Sequence, residues 1–178
     1  MISVFIDSSA WNVLFEQRMD LNLELPPSEF ALYITREVEI ELLAIPDIGK
    51  DDTQKLELKR YIAEAVGRGR VKTVGHFGFR EAGPTSMPLG QGTFQSKDER
   101  TRLDEFKGHF LNRSKRPTGL AKNQADASLA MRAFKSVILT NDDKGGPIAE
   151  AARRGGKIVY LAGFDRNAVS LSDYILRA

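Results

Sequence analysis

Residues 123–142 read NQADASLAMRAFKSVILTND, and this stretch holds a helix, a strand and two acids whose placement decides the fold class. Gln124 to Phe134 carries helical spacing, and VILTN (137–141) is a short β-branched run that predicts a buried strand. At 100° per residue, Asp126 shares a helix face with Leu129, Ala130 and Ala133, at i+3, i+4 and i+7. That face is apolar. An ionised carboxylate on it is costly unless it is paired, protonated or bound to a metal ion. The alternative is a first-turn acid favoured by the helix dipole, with Asn123 as the cap.

The same alternation extends outward in both directions. VFIDS (4–8), FALYI (30–34), VKTVGHF (71–77) and KIVYL (157–161) read as four more strands. Between and after the five lie Ser9 to Glu16, Arg36 to Ala44, Thr53 to Val66, Lys97 to Leu111, Pro147 to Arg154 and Leu171 to Arg177, all helical in spacing or composition. Strands alternating with helices predict an α/β fold whose mostly parallel sheet is covered on both faces. With 178 residues the chain is expected to form one domain, 1–178, around one core. Gly78 to Phe94, rich in glycine and proline, reads as a long loop or hairpin insertion.

In an open parallel sheet, ligands bind beyond the carboxyl ends of the strands. Asp7 ends the first predicted strand and Asp142 the fourth, so neighbouring strands would bring both carboxylates to one crevice. Either acid alone is equally a helix cap or turn residue. The helix after the second strand offers Glu37, Glu39 and Glu41. Glu37 and Glu41 lie about 40° apart beside the stripe of Val38, Leu42 and Ile45, and Glu41 is the closer to it. Three solvated glutamates are the plain alternative.

With no cysteine in the chain, disulfides, thiolate metal sites and thiol nucleophiles are excluded. His76 and His109 are most simply structural or surface residues. An oxygen-rich ligand set of this kind suits Mg²⁺ or Mn²⁺ rather than zinc. Such ions neutralise phosphate oxygens and activate water, which makes a phosphodiester the natural substrate.

A net charge of +2 argues little, but Gly67 to Lys122 holds twelve Lys or Arg against five Asp or Glu. Arg68, Arg70, Lys72, Arg113, Lys115 and Arg116 in this segment are candidate contacts to a nucleic-acid backbone. Phe77, Phe79 and Phe94 are open to two readings, base stacking or a minor core.

Apolar residues at 42% and charged residues at 28% describe an ordinary globular protein. MISVFIDSSAW has no basic n-region or long apolar h-region, so no signal peptide is expected, and no uncharged stretch is long enough for a bilayer. A cytoplasmic location is the expectation. Nucleotide-binding GxxxxGK[ST], GxGxxG after a strand and the GxSxG elbow are all missing. Ser9 stands where an aspartyl-phosphate enzyme would want a second acid after Asp7.

FIDSSAWNVL, VEIEL, QADASLAMRAF and VILTNDDK, in this order and at these spacings, resemble the PIN-domain ribonucleases, especially the toxins of bacterial VapBC-type systems. The resemblance covers the first strand to Leu42 and Asn123 to Leu161, about half the chain. By position it implies Asp7, Glu41, Asp126 and Asp142 as the four acids, with Ser9 and Thr140 supporting them and Asp143 as a rival to Asp142 for the metal. It further implies a three-layer α/β/α fold with a five-stranded parallel sheet in the order 3-2-1-4-5, and one or two Mg²⁺ or Mn²⁺ ions. The implied activity is hydrolysis of single-stranded RNA, by a homodimer held by a small antitoxin. The stretch around 67–122 is longer than in compact toxins and is expected to be an insertion. A PIN-like nuclease of RNA or DNA processing without an antitoxin, and a catalytically silent binding module, are the competing expectations.

Overall fold

The computed structural model describes residues 1–46, 52–76, 92–93 and 97–177. The loop expected at Gly78 to Phe94 lies outside the described residues except for Gly92 and Thr93, and so do Phe77, Phe79 and Phe94. In chain order the elements are β1 (Ile2–Ile6), α1 (Ala10–Glu16), α2 (Leu21–Glu24), β2 (Phe30–Thr35), α3 (Arg36–Leu43), α4 (Asp52–Gly67), β3 (Val71–His76), β4 (Gly92–Thr93), α5 (Lys97–Phe110), β5 (Asn112–Lys115), β6 (Ala121–Lys122), α6 (Gln124–Arg132), β7 (Val137–Thr140), α7 (Pro147–Arg153), β8 (Ile158–Tyr160) and α8 (Leu171–Arg177).

The fold is α/β, built on a parallel sheet in the order β4-β3-β2-β1-β7-β8. It differs from the expected five-stranded order by β4, two residues added at the β3 edge, and by a separate antiparallel pair, β5 and β6. β4 contains a glycine and has only two residues, too short to leave a hydrophobic period in the sequence.

β1 sits mid-sheet, and Val4 and Ile6 are fully buried, as are Ile138 and Leu139 of its neighbour β7. Continuous apolar strands of this kind need cover on both faces. Trp11 and Phe15 of α1 meet Tyr61 of α4, and α5, α6 and α7 pack successively together. Parallel strands are as a rule joined by right-handed crossovers, and the chain passes from β1 to β2 in one direction across the sheet and from β7 to β8 in the other.

Val71–His76 is a strand of the main sheet, and Phe106 of α5 is buried in the core. No described helix is long and apolar enough to cross a membrane.

Gly156 marks a point where packing leaves no space. A Cβ there would stand 2.8 Å from the Ala151 carbonyl oxygen and 2.9 Å from the Ala133 Cβ, whereas one at Gly67 would meet nothing within 4 Å. Gly156→Ala is therefore expected to cost about 1–3 kcal/mol, while Gly67→Ala at the end of α4 is neutral or slightly stabilising. Urea unfolding of the two variants measures the difference; equal midpoints would refute this packing.

Candidate active site at the carboxyl end of the sheet

Because the strands of the main sheet run parallel, the residues that follow β1, β2 and β7 emerge along one edge. Asp7 follows β1 directly and is only 3% exposed. Its Oδ2 accepts from the Ser9 hydroxyl at 2.5 Å and the Thr140 hydroxyl at 2.8 Å. Those hydroxyls in turn accept backbone N–H groups, Asn141 on Ser9 at 2.9 Å and Asp142 on Thr140 at 3.1 Å. With their acceptor sides used in this way, each hydroxyl turns its proton to the carboxylate. The other oxygen, Oδ1, has only the distant Ser8 hydroxyl, at 3.5 Å, among the described residues.

Glu41 comes from α3, which starts where β2 ends. Thr35, the last residue of β2, caps the helix by accepting from the Val38 N–H. Glu41 Oε2 accepts from the Ser8 hydroxyl at 3.0 Å, and Oε1 from Arg116 Nη1 at 2.9 Å. Burial raises the Glu41 carboxyl above its ordinary range, with Asp7 and Glu37 adding to the effect and Ser8 and Arg116 opposing it. Glu39 is committed elsewhere, to Arg36 and the Thr73 hydroxyl.

Asp126 lies in the first turn of α6, above a face where Leu129, Ala130 and Ala133 are fully buried. The Ser128 hydroxyl, on the same helix, donates to Thr35 Oγ1 at 2.9 Å and so ties α6 to the start of α3. Asn123 does precede the helix, but its side chain does not cap it; in a left-handed conformation, φ 66°, it donates instead to the Phe110 carbonyl. Asp126 is partly buried, and no hydrogen-bond donor among the described residues reaches its carboxylate. Burial raises it to about 7, and the charges of Asp7, Glu41 and Asp142 add to that rise.

Asp142 is exposed in the loop after β7, which ends at Thr140, and its Oδ1 accepts from the Lys144 N–H. Its charge reaches Asp126, whereas Asp143 is felt first at Tyr160 on β8. The four expected acids thus belong to one electrostatic cluster. Among the described residues, however, no three acidic or histidine side chains stand close enough to hold a metal ion between them. Glu41 is paired with Arg116. The chemistry of the donors, carboxylates and hydroxyls with no thiol, fits a hard divalent cation. The Arg116 guanidinium already stands among them as a positive charge.

The basic residues divide. Arg116 occupies the turn between β5 and β6 and faces the acids, while Arg113 and Lys115 belong to the adjoining β5. Arg68, Arg70 and Lys72 lie at the opposite, amino end of the strands, so the six do not form one surface with the acids. Arg70 is turned inward, donating to the carbonyls of Leu21, Leu25 and Phe30, and Arg68 pairs with Glu64 at 2.5 Å. Arg70 is therefore a structural residue, not a free phosphate contact. Ser8, by contrast, was not among the expected site residues, although the Ser-Ser doublet after Asp7 was its signal.

No family model, no curated protein and no solved structure matches the chain.

The buried charge at Asp126 carries a stability cost with a definite sign. Its carboxyl binds a proton more tightly in the folded state, about 7 against 3.8, so this group costs nothing below pH 4 and destabilises the fold increasingly as pH rises toward 7. The full penalty above pH 7 is up to about 4 kcal/mol. Asp126→Asn should therefore raise the melting temperature in EDTA at pH 8, with a gain that shrinks by pH 4.5. A pH-independent difference would contradict the placement of Asp126 beside the other acids.

Proposed function

We propose that this chain is a metal-dependent endoribonuclease with a PIN-like fold, in which Asp7, Glu41, Asp126 and Asp142 hold Mg²⁺ or Mn²⁺. The observation that carries the reading is the convergence of four acids from four separate segments, with one of them, Asp126, left without a donor in the described structure. A silent binding scaffold has no physical reason to keep unpaired like charges together.

Bound there, a divalent cation supplies neutralisation of phosphate charge and a lower pKa for water. The protein's own part is orientation. Ser9 and Thr140 fix Asp7 through Oδ2, which leaves Oδ1 as its available ligand atom. Ser8 holds one oxygen of Glu41, and the Ser128 to Thr35 bond fixes the approach of α6 and hence of Asp126. Arg116 supplies positive charge beside the acids for the RNA backbone. A toxin held by a small antitoxin, a homodimer, and a cytoplasmic location are finer readings that rest on the resemblance of the four sequence segments.

Asp7→Asn keeps an acceptor for the two hydroxyls and nearly the same volume, so it is expected to stay folded by circular dichroism. Outer-shell changes at metal sites already cost about 10–100-fold, so loss of this ligand should lower RNA cleavage by about 100-fold or more. Single-stranded RNA and DNA incubated with the pure protein in Mg²⁺, Mn²⁺ or EDTA provide the assay. RNA cleavage that survives EDTA or the Asp7→Asn change would refute the assignment.

A further inference from the structure

Arg116 stands against the acid cluster, at the turn of a hairpin. It stands at the tip of the β5-β6 hairpin, whose turn is closed by Arg116 N–H to the Leu120 carbonyl at 2.8 Å and Gly119 N–H to the Arg116 carbonyl at 2.9 Å. Gly119 takes φ 80°, a conformation that favours glycine, so the backbone under Arg116 is set by the turn itself. β6 runs almost directly into α6 and Asp126, with the Ala121 N–H donating to the Gln124 side chain. The hairpin therefore delivers a guanidinium to the mouth of the acid cluster. There Nη1 meets Glu41 Oε1 at 2.9 Å, and the charge is felt at Asp126 as well.

We propose that Arg116 is a built-in stand-in for the divalent cation: it holds Glu41 in the metal-free protein and gives it up when the ion enters. This inference rests on the metal-site reading above. Glu41 has two oxygens with different partners, Ser8 on one and Arg116 on the other, so only the Arg116 side must be vacated. The Arg116 side chain is 46% exposed and its long stem can turn to solvent without moving the hairpin. A half-exposed ion pair is weak enough to be exchanged, yet it sets a positive charge against the repulsion among the carboxylates. Once displaced, the guanidinium remains beside the site as a cation for a substrate phosphate.

The test measures Mn²⁺ binding by the loss of the free-ion electron paramagnetic resonance signal, with no substrate present. Arg116→Gln should bind Mn²⁺ about three- to tenfold more tightly than the wild type. Lys144→Gln, which removes an exposed cation from the loop beside Asp142, should change affinity by less than twofold. Equal affinity for wild type and Arg116→Gln, or equal tightening in both variants, overturns the stand-in role while leaving the metal site intact. If none of the proteins binds Mn²⁺, the metal-site reading falls and the stand-in role with it. In a second readout, the side-chain Nε–H resonance that disappears in Arg116→Gln should move when Mg²⁺ is added to the wild type. A fixed resonance in a protein that binds Mg²⁺ overturns the proposal as well.

Discussion

The bond from the Thr140 hydroxyl to Asp7 Oδ2 is the constraint on which the site depends. A carboxylate that is almost wholly buried at a strand end must find donors, and here they come from the next strand and from Ser9, two residues along the chain. Thr140 can reach Asp7 only because β1 and β7 pair in register, with Phe5 opposite Ile138 and Ile6 opposite Leu139. A slip of one residue would turn Thr140 to the other face of the sheet, away from Asp7. The hydrophobic fit of two central strands thus sets the position of a charge. The hydroxyls then pass that order to the backbone of Asn141 and Asp142, so the loop acid is placed by the same bonds.

Asp7 and Asp126 show two ways of holding an acid in one cluster. Asp7 is saturated on one oxygen by hydroxyl donors, whereas Asp126 has none among the described residues and is held by the packing of its helix. The burial of Leu129 and Ala130 and the Ser128 bond to Thr35 fix α6, and the carboxylate has to follow. The cost appears as a carboxyl pushed up to about 7. An anchored acid and a strained one have different uses. The first keeps its geometry whatever its surroundings, and the second gains most from any cation brought near it.

Much of this was legible in the sequence because it follows from periodicity. The apolar runs around Val4 and Ile138 marked central strands, and the i+3, i+4, i+7 spacing placed Asp126 on an apolar face. Glu41 was harder. Helix geometry left it beside Glu37, and what distinguishes it is a pair of contacts, Ser8 and Arg116, 33 and 75 residues away in the chain. Charge was the least legible property. A run such as Arg68, Arg70 and Lys72 looks like a phosphate-binding patch, but a count of charges cannot reveal that the Arg70 guanidinium turns to three backbone carbonyls.

Among Asp7, Glu41 and Asp126, the acids of the cluster that are not exposed, Glu41 is the one whose surroundings can change most at least expense. Asp7 is bound into the β1-β7 bonds, and Asp126 is carried by α6, so moving either would disturb the core. Glu41 instead divides its two oxygens between a hydroxyl one residue beyond Asp7 and a half-exposed guanidinium from a hairpin turn. The first partner keeps it aimed at the other acids, while the second can be exchanged without touching a strand or helix. Rigidity belongs to the sheet, and adjustability to the one side chain that arrives from outside it. The proposed metal site needs this division, because its like charges must be held together before a cation is present and yet leave a place for one.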